Sequence, residues 1–226
     1  MSAHSEHAHH DILPDQWPVD DHYGKVTAGK IGMWIFLLSD ALTFAGFLLA
    51  YAILRGGSEK WRPEGSPSLG INFTAILTFL LICSSVTMVL AFAAAVEKDR
   101  KKTTKFLALT ILGGVLFLCG QWKEYFGFEW LGHVIGGSAG HWLSEGLTDE
   151  GLKFGQSHYA TTFYLITSFH GAHVFSGCVY LFVTLLRNHF GKLKDNYNEI
   201  EIVGLFWHFV DLIWILVFTF IYLIPE

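Results

Sequence analysis

Five stretches of this chain run long enough almost without charge to cross a bilayer: about Gly32 to Leu54, Phe73 to Val96, Phe106 to Gly120, Tyr159 to Leu186 and Ile202 to Ile224. Hydrocarbon offers no water to backbone amides, so an apolar run of about 20 residues must satisfy them internally, and within one segment only a helix does so. Composition agrees, with 52% of the 226 residues hydrophobic and 15% charged. The expected fold is an all-α polytopic membrane bundle of five transmembrane helices. The third run is the shortest, and it reaches full length only by continuing through Gln121, Trp122 and Tyr125, where an aromatic belt would sit.

Basic residues orient the bundle. Lys25 and Lys30 precede the first span, Lys98, Arg100, Lys101, Lys102 and Lys105 lie between the second and third, and Arg187, Lys192 and Lys194 lie between the fourth and fifth. These share one side, while Arg55, Lys60, Arg62, Lys123 and Lys153 occupy the other. The positive-inside bias predicts a cytoplasmic N-terminus and an external C-terminus. The first thirty residues are polar, acidic and His-rich rather than a basic segment followed by an apolar one, so the first span is expected to insert uncut.

The chain divides into a polar His-rich tail, residues 1–30, and a membrane domain, residues 31–226, with an external loop at about 126–157. The tail MSAHSEHAHHD brings four histidines close together, but a segment without partners to orient its ligands is a poor dedicated metal site, and a solvated tail is expected. His133 and His141 in the external loop belong with it. That loop contains GHVIGGSAGHW and EGLTDEG, whose glycines lack the Lys-Ser/Thr ending of a phosphate-cradling loop, so a connector with a short helical piece is expected. Cys83, Cys119 and Cys178 fall inside apolar runs with no paired spacing and read as small core residues.

The informative residues are the polar ones within the spans: Asp40 in the first, His170 and His173 in the fourth, His208 and Asp211 in the fifth. Ionisable groups in hydrocarbon need a metal, a haem or polar neighbours on other helices. Residues three and four apart share a helix face, so Asp40 groups with Thr43, His170 with Thr167 and His173, and His208 with Asp211. A haem would draw His170 or His173 opposite His208. Against a metal, HGAH lacks the internal Glu of a zinc-hydrolase helix, and only His208 is available as a third ligand. Without a cofactor, Asp40 and Asp211 would accept hydrogen bonds from the imidazoles and nearby hydroxyls, or take part in a proton or ion path. Gly46 with Ala50 and Ala172 with Ser176, each four apart, are expected to let helices approach closely.

In order along the chain, GMWIFLLSDALTFAGFLLAY, QWKEYFGFEW, YATTFYLITSFHGAHVFSGCVYL and LFWHFVDLIWILVFTFIYL resemble the motifs of subunit III of haem-copper terminal oxidases, the cytochrome c oxidase subunit III family, in a short five-helix bacterial form. The resemblance covers the chain from about Gly32 to its end. It departs from the family in carrying Asp40 where Glu is more usual, which shortens the side chain and keeps its carboxylate, and in having five spans where many relatives have seven.

What the resemblance implies is a non-catalytic subunit of a proton-pumping respiratory oxidase that reduces oxygen to water. Such a subunit holds no metal or haem, supports proton uptake, binds phospholipid and stabilises subunit I. Haem, copper and the electron-donor site, for cytochrome c or quinol, would belong to subunits I and II, and no nucleic acid is a partner. Asp40, Glu124, His170, His173, His208 and Asp211 then become buried polar or proton-linked candidates, with no catalytic residue among them, and the location is the bacterial plasma membrane. A free-standing membrane haem or metal redox protein and an ion or proton transporter stand as the alternatives.

Overall fold

A computed structural model describes residues 27–63, 66–67, 69–149, 151–193 and 197–224; the His-rich tail to residue 26 lies outside them. The described chain is helical: α1 Ala28–Gly56, α2 Ile71–Val96, α3 Arg100–Phe126, α4 Glu129–Ile135, α5 Gly137–Ser144, α6 His158–His189 and α7 Tyr197–Val217, which runs on as a π-helical segment Phe218–Leu223. Five of these, α1, α2, α3, α6 and α7 with its extension, are long and apolar enough to cross a membrane. They match the five runs expected from sequence.

Helix ends follow local chemistry. Thr27 caps α1, accepting the Lys30 amide at 3.4 Å, and Ser157 caps α6, accepting that of Ala160 at 3.0 Å. Asp99 caps α3 by accepting the Lys102 amide at 3.0 Å, and this bond to its charged form holds the exposed carboxyl below its ordinary range. The third span is therefore longer at both ends than its apolar stretch. At the far end it continues past Gly120 because Gln121, Glu124 and Tyr125 turn into the bundle, and it stops at Gly127, whose φ of 68° breaks the helix. The fifth span starts five residues before Ile202, where Arg187 Nη2 reaches Glu199 at 3.3 Å and Lys30 Nζ reaches Glu201 at 2.7 Å. These contacts gather the basic ends of α1 and α6 and the start of α7 on one side of the bundle.

α7 is the central helix, packed against α1, α2 and α6. Trp207 donates from Nε1 to Ser84 Oγ at 3.1 Å and Trp214 to Thr78 Oγ1 at 2.9 Å, so its two largest buried side chains each have their polar atom satisfied by α2. Close approach is made at glycines other than the expected small pairs. A Cβ at Gly114 would lie 2.5 Å from Trp207 and 2.6 Å from Cys178 Sγ, and one at Gly171 would lie 2.6 Å from Gln121 Oε1. Gly46 has nothing within 4 Å, and Ala50, Ala172 and Ser176 are exposed. Those pairs do share faces, but the faces point away from the bundle. The cysteines divide likewise: Cys178 is in the core, whereas Cys83 and Cys119 are exposed on the apolar surface.

The segment between α3 and α6 holds two short helices rather than one. Gly136 and Gly137, with φ of 64° and 65°, make the turn between α4 and α5. The helices then cross at Gly132 and Gly140, where a Cβ on Gly132 would fall 2.6 Å from the Gly140 carbonyl oxygen. The hairpin is tied to the end of α3, since Leu147 N donates to Glu124 O at 2.9 Å and Lys123 Nζ sits 3.9 Å from the centre of the Trp142 ring. His141 Nδ1 lies 3.2 Å from Glu145 on the exposed face.

Candidate functional site

Asp40 and His173 meet between α1 and α6, with His173 Nε2 3.2 Å from Asp40 Oδ1. The ring's Nδ1 is 2.8 Å from the Phe169 carbonyl, an oxygen that only accepts, so Nδ1 carries a proton. The contact between Nε2 and Oδ1 needs a second proton, which either partner can own. Phe44 and Phe169 flank the imidazole, with centroids 5.4 and 4.7 Å from its own. Asp40 Oδ2 is buried without a partner. Thr43, on the neighbouring turn, is exposed and donates to Ser39 O within its own helix, so it does not join Asp40.

His170 points elsewhere. Its Nε2 donates to Val210 O on α7 at 3.0 Å, its Nδ1 is buried without a partner, and Phe117 and Trp214 enclose the ring at centroid distances of 5.7 and 4.7 Å. The two histidines of TSFHGAHVFSG therefore tie α6 to different helices, His170 to α7 and His173 to α1.

His208 and Asp211 share a face of α7, as their spacing requires, and the partner His208 meets is Ser85 of α2. Its hydroxyl is 2.5 Å from His208 Nδ1, and Asp211 Oδ1 stays buried and unpartnered. Among the described residues no imidazole pairs with Asp211. With His170 held to Val210 and His208 turned toward α2, the two are not arranged as opposed haem ligands.

A fourth polar cluster lies at the far end of α3. Glu124, 6% exposed, accepts from Tyr222 Oη through Oε2 at 3.1 Å, while its Oε1 is 3.2 Å from the Thr74 hydroxyl. It joins α2, α3 and the π-helical segment. One turn earlier Gln121 Nε2 donates to Thr167 O at 2.7 Å and Tyr125 Oη at 2.9 Å, and Tyr125 in turn donates to Thr167 Oγ1 at 2.6 Å. Sequence reasoning singled out Glu124 and Thr167 but missed Ser85, Thr74 and Tyr222. Their only signal is a hydroxyl inside an apolar run, which the many lipid-facing or self-bonded hydroxyls share.

Among the described residues no three His, Cys, Asp or Glu side chains are grouped to hold a metal ion. Fold and polar interior together define an α-helical, multi-pass membrane protein whose buried ionisable groups bond to neighbouring helices. A family model described as cytochrome c oxidase subunit III matches residues 4–140 and 141–225. The chain belongs to the cytochrome c oxidase subunit III family. It is similar to cytochrome c oxidase subunit 3 of Synechocystis, 31% identical over 207 residues that cover 90% of this chain and 78% of the relative. The corresponding Corynebacterium diphtheriae protein is 32% identical over 199 residues, covering 86% and 87%. Cytochrome bo(3) ubiquinol oxidase subunit 3 of Pseudomonas putida is 28% identical over 195 residues, covering 86% and 84%.

Proposed function

We propose that this chain is the non-catalytic subunit III of a proton-pumping respiratory haem-copper oxidase, in which subunits I and II carry the haems, the copper and the electron-donor site. The observation that carries this reading is the family match, which extends over nearly the whole chain. The polar interior supports it: Asp40, His170, His173 and His208 are each bonded to a neighbouring helix, and these histidines are spent on carbonyls, a hydroxyl and a carboxylate. The outward apolar faces of α1 and α6, with Gly46, Ala50, Ala172 and Ser176 on them, are the surfaces open to subunit I and to lipid. The membrane is the bacterial plasma membrane. The N-terminal tail and the basic ends of α1, α3 and α6 face the cytoplasm, and the α4–α5 hairpin faces outward.

Purification from native membranes through a tag after Glu226 tests this directly. The chain is expected to bring down larger membrane subunits together with their haem bands. A chain that purifies alone while carrying its own haem spectrum refutes the reading. Within the complex, the contact of the Asp40 carboxyl with the His173 imidazole supports a part in proton uptake. Asp40→Asn keeps the shape but cannot ionise, so it should slow proton uptake with assembly intact. Unchanged uptake kinetics across a wide pH range would leave the pair a packing contact only.

A further inference from the structure

We propose that the pocket between the end of α3 and the first half of α6 binds a small aromatic ring carrying a hydroxyl group, a ligand of the phenol class. The cavity is about 560 Å3, and its aromatic lining is Trp122, Tyr125, Phe126, Phe154, Tyr164 and Phe175. A cavity of this size, lined chiefly by apolar and aromatic side chains around a few placed polar groups, is the usual form of a small-molecule site. Trp122, Phe126, Phe154 and Phe175 are exposed, so their rings are open to offset or edge contact with a ring that enters.

Gln121 supplies the polar group. Its Nε2 donates to Thr167 O at 2.7 Å and to Tyr125 Oη at 2.9 Å. A backbone carbonyl only accepts, so the amide nitrogen must face Thr167, and Oε1 is turned the other way. The protons behind it are committed in sequence: Tyr125 Oη donates to Thr167 Oγ1 at 2.6 Å, and Thr167 Oγ1 donates to Phe163 O at 2.6 Å. Oε1 itself accepts no hydrogen bond among the described residues. It lies over Gly171, where a Cβ would stand 2.6 Å from it, and both residues line the pocket. Two nearby hydroxyls are already spent, Tyr164 Oη on Leu152 O at 2.8 Å and Thr148 Oγ1 on Tyr125 O at 2.7 Å. An aromatic enclosure with an oriented, open acceptor calls for a ring that brings a donor. An acyl chain brings none and would leave Oε1 unsatisfied. The pocket also sits where α3 ends and α6 begins, with Thr148 and Phe154 of the connecting segment in its wall, the level at which amphipathic rings settle in a bilayer.

The site is complete within this chain, so its test needs no other subunit. The full chain is reconstituted in phosphatidylcholine vesicles and photolabelled with a phenol carrying a para trifluoromethyl-diazirine, and the labelled residues are mapped by mass spectrometry. Label should concentrate on Trp122, Phe154 and Phe175. At equal concentration in the bilayer, para-hexylphenol should displace it about fivefold more effectively than its methyl ether, para-hexylanisole, the net value of one hydrogen bond. Dodecanol, which has a hydroxyl and no ring, should do no better than the ether. Gln121→Leu should abolish the preference for phenol over ether. Because that change also removes two hydrogen bonds within the chain, Phe154→Ala at an exposed side chain is the second variant. It should lower labelling about threefold, the value of one aromatic contact, while Phe182→Ala, at an exposed ring outside the pocket, should leave labelling unchanged.

Label spread evenly over the lipid-facing residues of all five spans overturns the proposal. Equal displacement by phenol and ether from the unmodified chain does so too, showing an unselective apolar groove. Dodecanol as effective as the phenol would overturn it by showing a groove for alkyl chains. A folded Gln121→Leu chain that keeps the preference would overturn the role of Oε1 and the proposal with it.

Discussion

The contact between Asp40 and His173 joins a carboxyl group of α1 to an imidazole of α6 within the spans, and its strength can be worked out in advance. His173→Ala leaves Asp40, 8% exposed, with both oxygens lacking a partner, since Oδ2 has none already. Asp40→Ala strands only Nε2 of a half-buried ring whose Nδ1 keeps the Phe169 carbonyl. A buried polar group left unsatisfied costs about 1–3 kcal/mol, so His173→Ala should sit toward the upper end and Asp40→Ala toward the lower. Interhelical hydrogen bonds in membranes average about 0.6 kcal/mol with a maximum near 1.7, and a 3.2 Å contact shielded by Phe44 and Phe169 should give a coupling of about 1 kcal/mol in a double-mutant cycle. The assay is reversible unfolding of the purified chain in mixed micelles for the four members of the cycle. Additivity, with a coupling below about 0.3 kcal/mol, would refute a bonded pair. Asp40→Ala costing more than His173→Ala would refute the account of which group is left stranded.

Other expectations follow from packing, capping and topology. Gly114→Val should lower stability by about 1–3 kcal/mol through collision with Trp207 and Cys178, whereas Gly46→Val, with nothing within 4 Å, should leave the thermal midpoint of the isolated chain close to that of the unmodified protein. Asp99→Ala should speed hydrogen exchange at Lys102 and Asp99→Asn should not, because Asn also caps. Because the folded chain holds the Asp99 carboxyl below its ordinary value of 3.8, the cap contributes fully above that pH and is lost as pH falls through the lower folded value; exchange at Lys102 that is flat through this acid range would contradict it. A reporter fused after Glu226 should be external and one inserted at Lys98 to Lys102 cytoplasmic, and the reverse pattern would invert the proposed orientation.

The five spans were legible because hydrocarbon imposes one solution on an apolar run, and that constraint acts residue by residue along the chain. The ends were less so. Gln121 and Glu124 look like the edge of a membrane segment until Thr167, Thr74 and Tyr222 arrive from other helices to satisfy them. Periodicity correctly placed Gly46 with Ala50 and His208 with Asp211 on common faces, but it does not say which way a face points. The first pair faces away from the bundle, and in the second His208 meets the Ser85 hydroxyl of α2. Partner choice depends on the register between helices far apart in sequence, and local pattern carries little of it. The glycines of GHVIGGSAGHW likewise announced a turn, whereas the crossing at Gly132 and Gly140 became visible only with two helices in place.

The central claim is that this chain supports an oxidase without taking part in its redox chemistry. The most direct measurement removes the chain from the purified complex and records the absorption spectrum and the course of oxygen reduction on the same sample. In the spans His170, His173 and His208 are engaged with Val210, with Phe169 and Asp40, and with Ser85, so none is expected to hold a haem. The spectrum should be unaltered and initial oxygen reduction at least partly retained, while proton supply falters and activity decays over repeated turnovers. Loss of a haem band on removal would contradict the account and return the histidines of TSFHGAHVFSG to the role of ligands.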